Sequence, residues 1–181
     1  MKKFLIVAAA LLVSLSMSAQ LRVTAGYLSS SMKEGGDGES WSYNGNGFYA
    51  GILYQMPFNE TFSFEPGVLF DYNKYGNDDF NTSVYYLRIP LHLVYGVEMA
   101  PDMTLFGNAG PGISLGLGGD DDPFGEYGDK RFDIPLGIEF GLRYMGRYDI
   151  RVGYDWGLMN LAKEYGTTHH NALHLGVAIA F

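Results

Sequence analysis

The side chains able to do acid–base chemistry are few, and their spacing matches no known catalytic set. The four histidines among 181 residues are His92, His169, His170 and His174. His169 and His170 stand beside a stretch rich in turn-forming residues, where a Ser or Asp from a neighbouring loop could approach to complete a hydrolytic pair. No Gly-x-Ser-x-Gly elbow presents such a nucleophile. A metal held by His169, His170 and His174 would need three side chains to converge, which strand spacing does not provide. Asp120-Asp121-Asp122, followed by Glu126 and Asp129, makes an acidic segment without the glycine and terminal glutamate of a calcium loop. It reads as a solvated loop, with loose divalent-cation bridging to lipopolysaccharide as the alternative. Gly35-Gly36-Asp37-Gly38 and Gly116-Leu117-Gly118-Gly119 are turn glycines, because no strand-to-helix context makes them a phosphate cradle. No catalytic, cofactor or metal site is assigned.

A second set of charges is spaced regularly and says more. Glu65 and Asp71 alternate with Phe62, Phe64, Pro66, Val68, Phe70 and Tyr72. Asp149, Arg151 and Asp155 alternate with Tyr148, Ile150, Val152, Tyr154, Trp156 and Leu158, and Asp133, Glu139 and Arg143 with Phe132, Ile134, Leu136, Ile138, Phe140, Leu142 and Tyr144. A period of two is a strand's; a helix would scatter these apolar residues around its surface. Extended along the chain, the pattern predicts eight strands, at about 21–30, 47–56, 61–72, 83–97, 103–117, 131–144, 148–159 and 171–181. The connections around 31–46, 73–82, 118–130 and 160–170 are long and rich in Gly, Asp, Asn and Ser. Those around 57–60, 98–102 and 145–147 are short.

Charge placement decides the solvent. The apolar faces of all eight segments lack Asp, Glu, Lys and Arg, whereas the opposite faces carry Arg22, Glu65, Asp71, Arg88, His92, Asp133, Glu139, Arg143, Asp149, Arg151, Asp155 and His174. A soluble sandwich or barrel would hide its apolar face and present its charges. A face cleared of charge suits lipid, where Arg or Lys at the bilayer midplane costs roughly 2–4 kcal/mol. The expected fold is therefore all-β: an eight-stranded antiparallel transmembrane β-barrel with long extracellular loops and short periplasmic turns. Its lumen should be filled by paired charges, because eight strands enclose a space just wide enough for side chains. Arg143 should lie near Asp149 and Glu139 near Arg151, with Glu65, Arg88 and Asp155 completing a structural network.

Aromatic residues support the same picture. Phe58, Phe62, Tyr95, Tyr144, Tyr148 and Phe181 fall toward the short turns, and Tyr27, Phe48, Tyr72, Tyr85 and Trp156 toward the long loops, as two interfacial girdles would. Pro66, Pro90, Pro111 and Pro135 fall inside strands, so bulges are expected there. A register change is expected midway in strand 103–117, at Gly107, Gly110, Pro111 and Gly112.

Composition and the first residues fit export. Aromatics reach 15%, glycines number 25 and charged residues only 18%, below the roughly 25% of soluble domains. Met1-Lys2-Lys3, the apolar run Phe4 to Val13 and the small residues up to Ala19 have the layout of a secretory signal peptide. Residues 1–19 are thus expected as a leader and 20–181 as one barrel domain. Without Lys2 and Lys3 the 12 basic residues fall to 10 against 20 acidic ones, which argues against nucleic-acid binding. With no cysteine, an exported chain must be held by something other than disulfides, and closure of a barrel is one candidate.

Tyr86-Leu87-Arg88-Ile89-Pro90-Leu91-His92-Leu93 resembles the "YLxIPL" strand of the PorT-like outer-membrane β-barrel family, known mostly from Bacteroidetes. Gly110-Pro111-Gly112, the segment ending Gly157-Leu158-Met159-Asn160-Leu161 and the closing strand fit the same family. The resemblance spans essentially all of 20–181. It implies a barrel in the bacterial outer membrane, in contact with lipid and lipopolysaccharide. Alternate Leu173, Leu175, Val177 and Ile179 with terminal Phe181 resemble the signal read by the barrel-assembly machinery. The family mixes barrels of many kinds with members linked to secretion. The expected role is non-enzymatic: envelope structure, surface binding or secretion accessory, with an unknown protein partner met through the long loops. A small lipid-modifying enzyme working at the loop rim and a narrow channel are the alternatives.

Overall fold

The computed structural model describes residues 20–36, 39–76, 81–120, 124, 130–162 and 166–181. The expected leader and most of the acidic segment, Asp121, Asp122, Glu126 and Asp129 included, lie outside the described residues. The strands are β1 (Gln20–Gly36), β2 (Glu39–Pro57), β3 (Phe62–Gly76), β4 (Asn81–Ala100), β5 (Met103–Gly119), β6 (Phe132–Asp133), β7 (Pro135–Tyr144), β8 (Tyr148–Gly157) and β9 (Thr167–Ala180). They form one antiparallel sheet in the order β4-β3-β2-β1-β9-β8-β7-β5, and the further β4–β5 pairing closes it into a barrel. The two-residue β6 continues β7 across Ile134, and both pair with β5, so the wall has eight strands.

The pleat sends alternate side chains outward and inward, and the chain exploits this with inverted polarity. Ile150, Val152, Leu175 and Val177 point out and remain exposed, Ile150 at 61%. Arg22, Arg151, Asp149 and Glu65 point in and are almost wholly buried. Among the described residues, no charged side chain stands on the outer wall between the two aromatic belts. In the belts, Phe62 packs on Tyr95 at the short-turn side, while Phe48 and Tyr85 flank Tyr72 at the long-loop side. Phe62 and Tyr72 lie on the same strand, about 33 Å apart along it, or about 25 Å along the membrane normal at a tilt of about 40°. That is the height of a hydrocarbon-facing band.

The connection between β7 and β8 has three residues, 145–147; Arg147 N–H donates to the Tyr144 carbonyl at 3.0 Å, with Met145 at φ 54 and Gly146 at φ 67 at the centre of the turn. Two successive positive φ values match the right-handed twist of the flanking strands. Between β6 and β7, Asp133 Oδ1 accepts the N–H groups of Ile134 (2.8 Å) and Met159 (3.1 Å), organising the interruption.

Several expectations need correction. The stretch 31–46 is not a long loop, and neither is 73–82: β1 and β2 stay paired from Gln20↔Gln55 to Gly36↔Glu39, and β3 and β4 as far as Gly76↔Asn81. Their Ser, Asn and Gly content reads as loop because strands beyond the membrane need no apolar face. The bulges lie at Tyr85/Tyr86 and Glu98/Ala100, not at the prolines. A missing N–H opens a rung without inserting a residue: the β2–β3 register passes from Leu53↔Gly67 to Met56↔Phe64 unshifted around Pro66. Likewise, Pro135 follows the gap between β6 and β7 without altering the register against β5. The change expected within 103–117 does not occur at Gly107–Gly112, since the pairing runs evenly from Tyr86↔Gly116 to Glu98↔Thr104.

Val152→Arg tests the inverted wall. It should lower stability by about 2–4 kcal/mol in lipid, measured by reversible denaturant unfolding, with Val152→Met as the size control near zero.

Candidate functional site

The chemistry-bearing residues converge in the lumen, as three ionic layers stacked between the short turns and the long loops. In the first, Asp149 is shared by two guanidiniums: Arg22 at 3.1 Å and Arg143 at 2.8 Å. Arg22 also donates to Gln55 Oε1 at 3.0 Å, Gln20 Oε1 at 2.7 Å and the Gly146 carbonyl at 3.2 Å. In the second, Arg151 pairs with Glu65 and, at 3.0 Å, with Glu139, which accepts from Asn108 at 2.6 Å. In the third, Arg88 bridges Asp71 at 2.7 Å and Asp155 at 2.6 Å. His174 lies between the second and third layers, 3.5 Å from Glu139 and 3.7 Å from Asp155.

Aromatic rings fill the gaps. Phe106 is wedged under Arg143 and Arg151, with ring centroids 4.9 and 5.1 Å from the guanidinium carbons, and Tyr49 lies 5.7 Å from that of Arg88. The cavity left at mid-lumen is about 20 Å³, lined by Glu65, Glu139, Arg151, His174 and neighbours. That is room for about one water.

Small residues make this packing feasible. Arg22 on β1 and Asp149 on β8 are separated by β9, where the inward positions opposite them are Ala180 and Ala178. Larger side chains there would keep the guanidinium from the carboxylate. Glu65, Arg88, Glu139, Arg143, Arg151 and Asp155 were expected to share a lumen network, and the structure brings all six into these layers. Arg22, Asp71 and Asp149 were placed on the same face by periodicity, but only Asp149 had a predicted partner. Arg22 meets Asp149 from a strand 127 residues away, and Asp71 meets Arg88 on the neighbouring β4 across a longer connection; alternation encodes neither stagger.

At the long-loop end the lumen is stoppered by aromatics. His170 stacks on Tyr86 at 5.1 Å and 12°, with Tyr75 edge-on at 6.2 Å. Phe124, from the third long connection, stands edge-on to Tyr86 at 5.9 Å, with Arg131 over its ring. Gly116 admits Phe124: a Cβ on Gly116 would lie 2.1 Å from the Phe124 ring. This stopper was missed by sequence reasoning, and a lone Phe between acidic and glycine residues was its only trace.

His169 and His170 belong to β9 rather than a loop edge. His169 Nδ1 is 3.2 Å from the Gly157 carbonyl, while His174 lies four residues beyond His170 on the strand. Four residues are about 13 Å of strand, so the three rings do not converge. No group of three or more potential ligands is placed to hold a metal among the described residues. Asp120 is tied to β4, its carboxylate accepting from Ser83. Leu173, Leu175, Val177 and Ile179 form one outward stripe of β9, and Phe181 ends it, exposed.

A closed wall that is apolar outside and ionic inside defines an integral membrane β-barrel. The chain belongs to the outer membrane protein beta-barrel domain family, which matches residues 5–181, and membership places it in the bacterial outer membrane. Among solved structures it is similar to Neisserial surface protein A, at 16% identity over 91% of this chain and 99% of that one, with a TM-score of 0.55. It is also similar to the outer membrane enzyme PagL, at 15% identity, covering 84% of this chain and 98% of that one, with a TM-score of 0.54. OprG from Pseudomonas aeruginosa is alike at 13% identity, over 90% and 96% of the two chains, with a TM-score of 0.51. At these identities the likeness is one of fold. No curated protein matches the sequence.

Arg88→Met should cost about 3–5 kcal/mol by leaving Asp71 and Asp155 buried without a cation, and adding Asp71→Leu and Asp155→Leu should recover most of it. Denaturant midpoints in one detergent check both. Gly116→Val should expel Phe124 and speed proteolysis of the third long connection while heat-modifiable migration on gels persists.

Proposed function

We propose that this protein is a non-conducting, non-enzymatic outer-membrane barrel that works through the surface it presents beyond the long-loop girdle. The observation carrying this reading is the filled lumen: three ionic layers, an aromatic stopper and a mid-lumen cavity of about 20 Å³. Buried ions that answer one another are held in place by the cost of separating them. A hydrated solute has no continuous path through them.

The PorT-like resemblance fits this reading. In the Tyr86-to-Leu93 motif, the inward Tyr86 belongs to the stopper, Arg88 to the third ionic layer, and Pro90 and His92 line the mid-lumen cavity. Export behind the leader 1–19, and assembly guided by Leu173, Leu175, Val177, Ile179 and Phe181, belong to the same proposal. The contact surface is the continuation of β1, β2 and β9 past Tyr27 and Phe48, which pairs as far as Gly35↔Thr167 and Gly36↔Glu39. It faces lipopolysaccharide and any protein partner, in an envelope-structural, surface-binding or secretion-accessory role. The histidines offer little to catalysis: His92 and His174 are buried among the ionic layers, and His170 is stacked into the stopper.

Purified protein in planar bilayers should give no reproducible unit conductance in molar salt. A steady, voltage-independent conductance lost on blocking the lumen would overturn the proposal.

A further inference from the structure

The ionic layers do not balance one by one, and the layer nearest the short turns is accessible. Arg22 and Arg143 share the single carboxylate of Asp149, which leaves this layer one positive charge over, while the next, Arg151 between Glu65 and Glu139, is one negative charge over. Arg22 is wholly buried and its donors are answered by Asp149, Gln55, Gln20 and Gly146. Arg143 gives Nε and Nη2 to Asp149, at 2.8 and 3.0 Å, and its Nη1 has no acceptor among the described residues. This second arginine lines a vestibule of about 250 Å³ that opens between the short turns.

The rest of the vestibule suits a small anion with an apolar neighbour. Ser63 and Thr104 contribute hydroxyls, and Ser63 already accepts from Gln55 Nε2 at 2.7 Å, so its own proton is available to donate. Phe106 and Val94 give apolar wall, and Phe106, under Arg143 and Arg151, shuts the vestibule off from the ionic layers beyond. Glu60 also borders the vestibule, as its one carboxylate. It would repel a polyanion while tolerating a single negative charge buried at the guanidinium.

We infer that this vestibule is a binding site for a singly charged carboxylate, held by Arg143 with Ser63 and Thr104 and entered from the short-turn side. In outer-membrane barrels that side is periplasmic. A carboxylate meeting a guanidinium edge makes charge-assisted hydrogen bonds, about twice as strong as neutral ones, and the planar fork favours it over a spherical anion. The ligand is either a free small carboxylate or the carboxyl end of a peptide chain.

Purified, folded protein in detergent micelles is titrated with N-acetyl-alanyl-alanine, its C-terminal amide, acetate and chloride at matched ionic strength. Backbone amide shifts of Ser63 and Thr104 are the readout. The dipeptide acid should bind at least tenfold more tightly than its amide and than chloride. Acetate as tight as the acid identifies a free small carboxylate, and weaker acetate identifies a chain end. Arg143→Gln should weaken the acid at least tenfold; it retains the Arg22–Asp149 pair and is checked for folding by heat-modifiable migration. Thr104→Phe, which fills the vestibule beside Arg143 while keeping every charged side chain of the ion pairs, should do the same and decides the matter if the first variant fails to assemble. Equal shifts from acid and amide, or unchanged affinity in a folded variant, would overturn the assignment.

Discussion

A main chain in hydrocarbon has no water to answer its N–H and C=O groups, so each must be answered within the chain. The β1–β9 and β4–β5 pairings meet that demand by removing every sheet edge from the wall. The rest follows. Once the outer face must be apolar, the pleat leaves the polar half of every strand no destination but the lumen. With eight strands the lumen is too narrow for bulk water, so the charges there must satisfy one another. The layers around Asp149, Arg151 and Arg88 are in this sense a product of closure, and they need not be large contributors to stability.

Filling such a lumen is a problem of unequal neighbours. Long side chains cross the axis only where the opposing strand offers almost nothing. Arg22 passes over the alanines of β9, and Tyr49 reaches toward Gly176, where a Cβ would stand 2.1 Å from its hydroxyl. Phe124 enters over Gly116 in the same way. The wall requires little beyond alternation, which is why barrels sharing 13–16% of residues with this chain can share its shape. The lumen, by contrast, depends on particular large and small residues meeting across strands, and there this chain is individual.

This division sets what could be read from the sequence. The strands and their inward and outward faces were legible because Ile150 and Val152 alternate with Asp149 and Arg151 under a solvent that punishes any error. Pairs within one hairpin, Arg143 with Asp149 and Glu139 with Arg151, were legible because a tight three-residue turn fixes their register. Arg22 with Asp149 and Arg151 with Glu65 were not, since the stagger of distant strands is a property of the closed barrel. The β1–β2 extension was read as loop because above the membrane the outward face loses its apolar requirement and its signal with it. Pro66 shows that an open rung costs one hydrogen bond without shifting the register, so proline alone does not mark a bulge. The vestibule left no local trace: its residues come from six strands and two turns.

The shared carboxylate of Asp149 also bears on the order in which the barrel comes together. Arg143 is six residues from Asp149 and Arg22 is 127 residues away. The nearby partner is available as soon as one hairpin forms, whereas the distant one must wait for the two ends of the chain to meet. Contacts of long sequence separation form late because their loop-closure entropy is large. On that ordering Asp149 has a partner within its own hairpin before the first and last strands meet, and Arg22 joins it only when that seam is sealed.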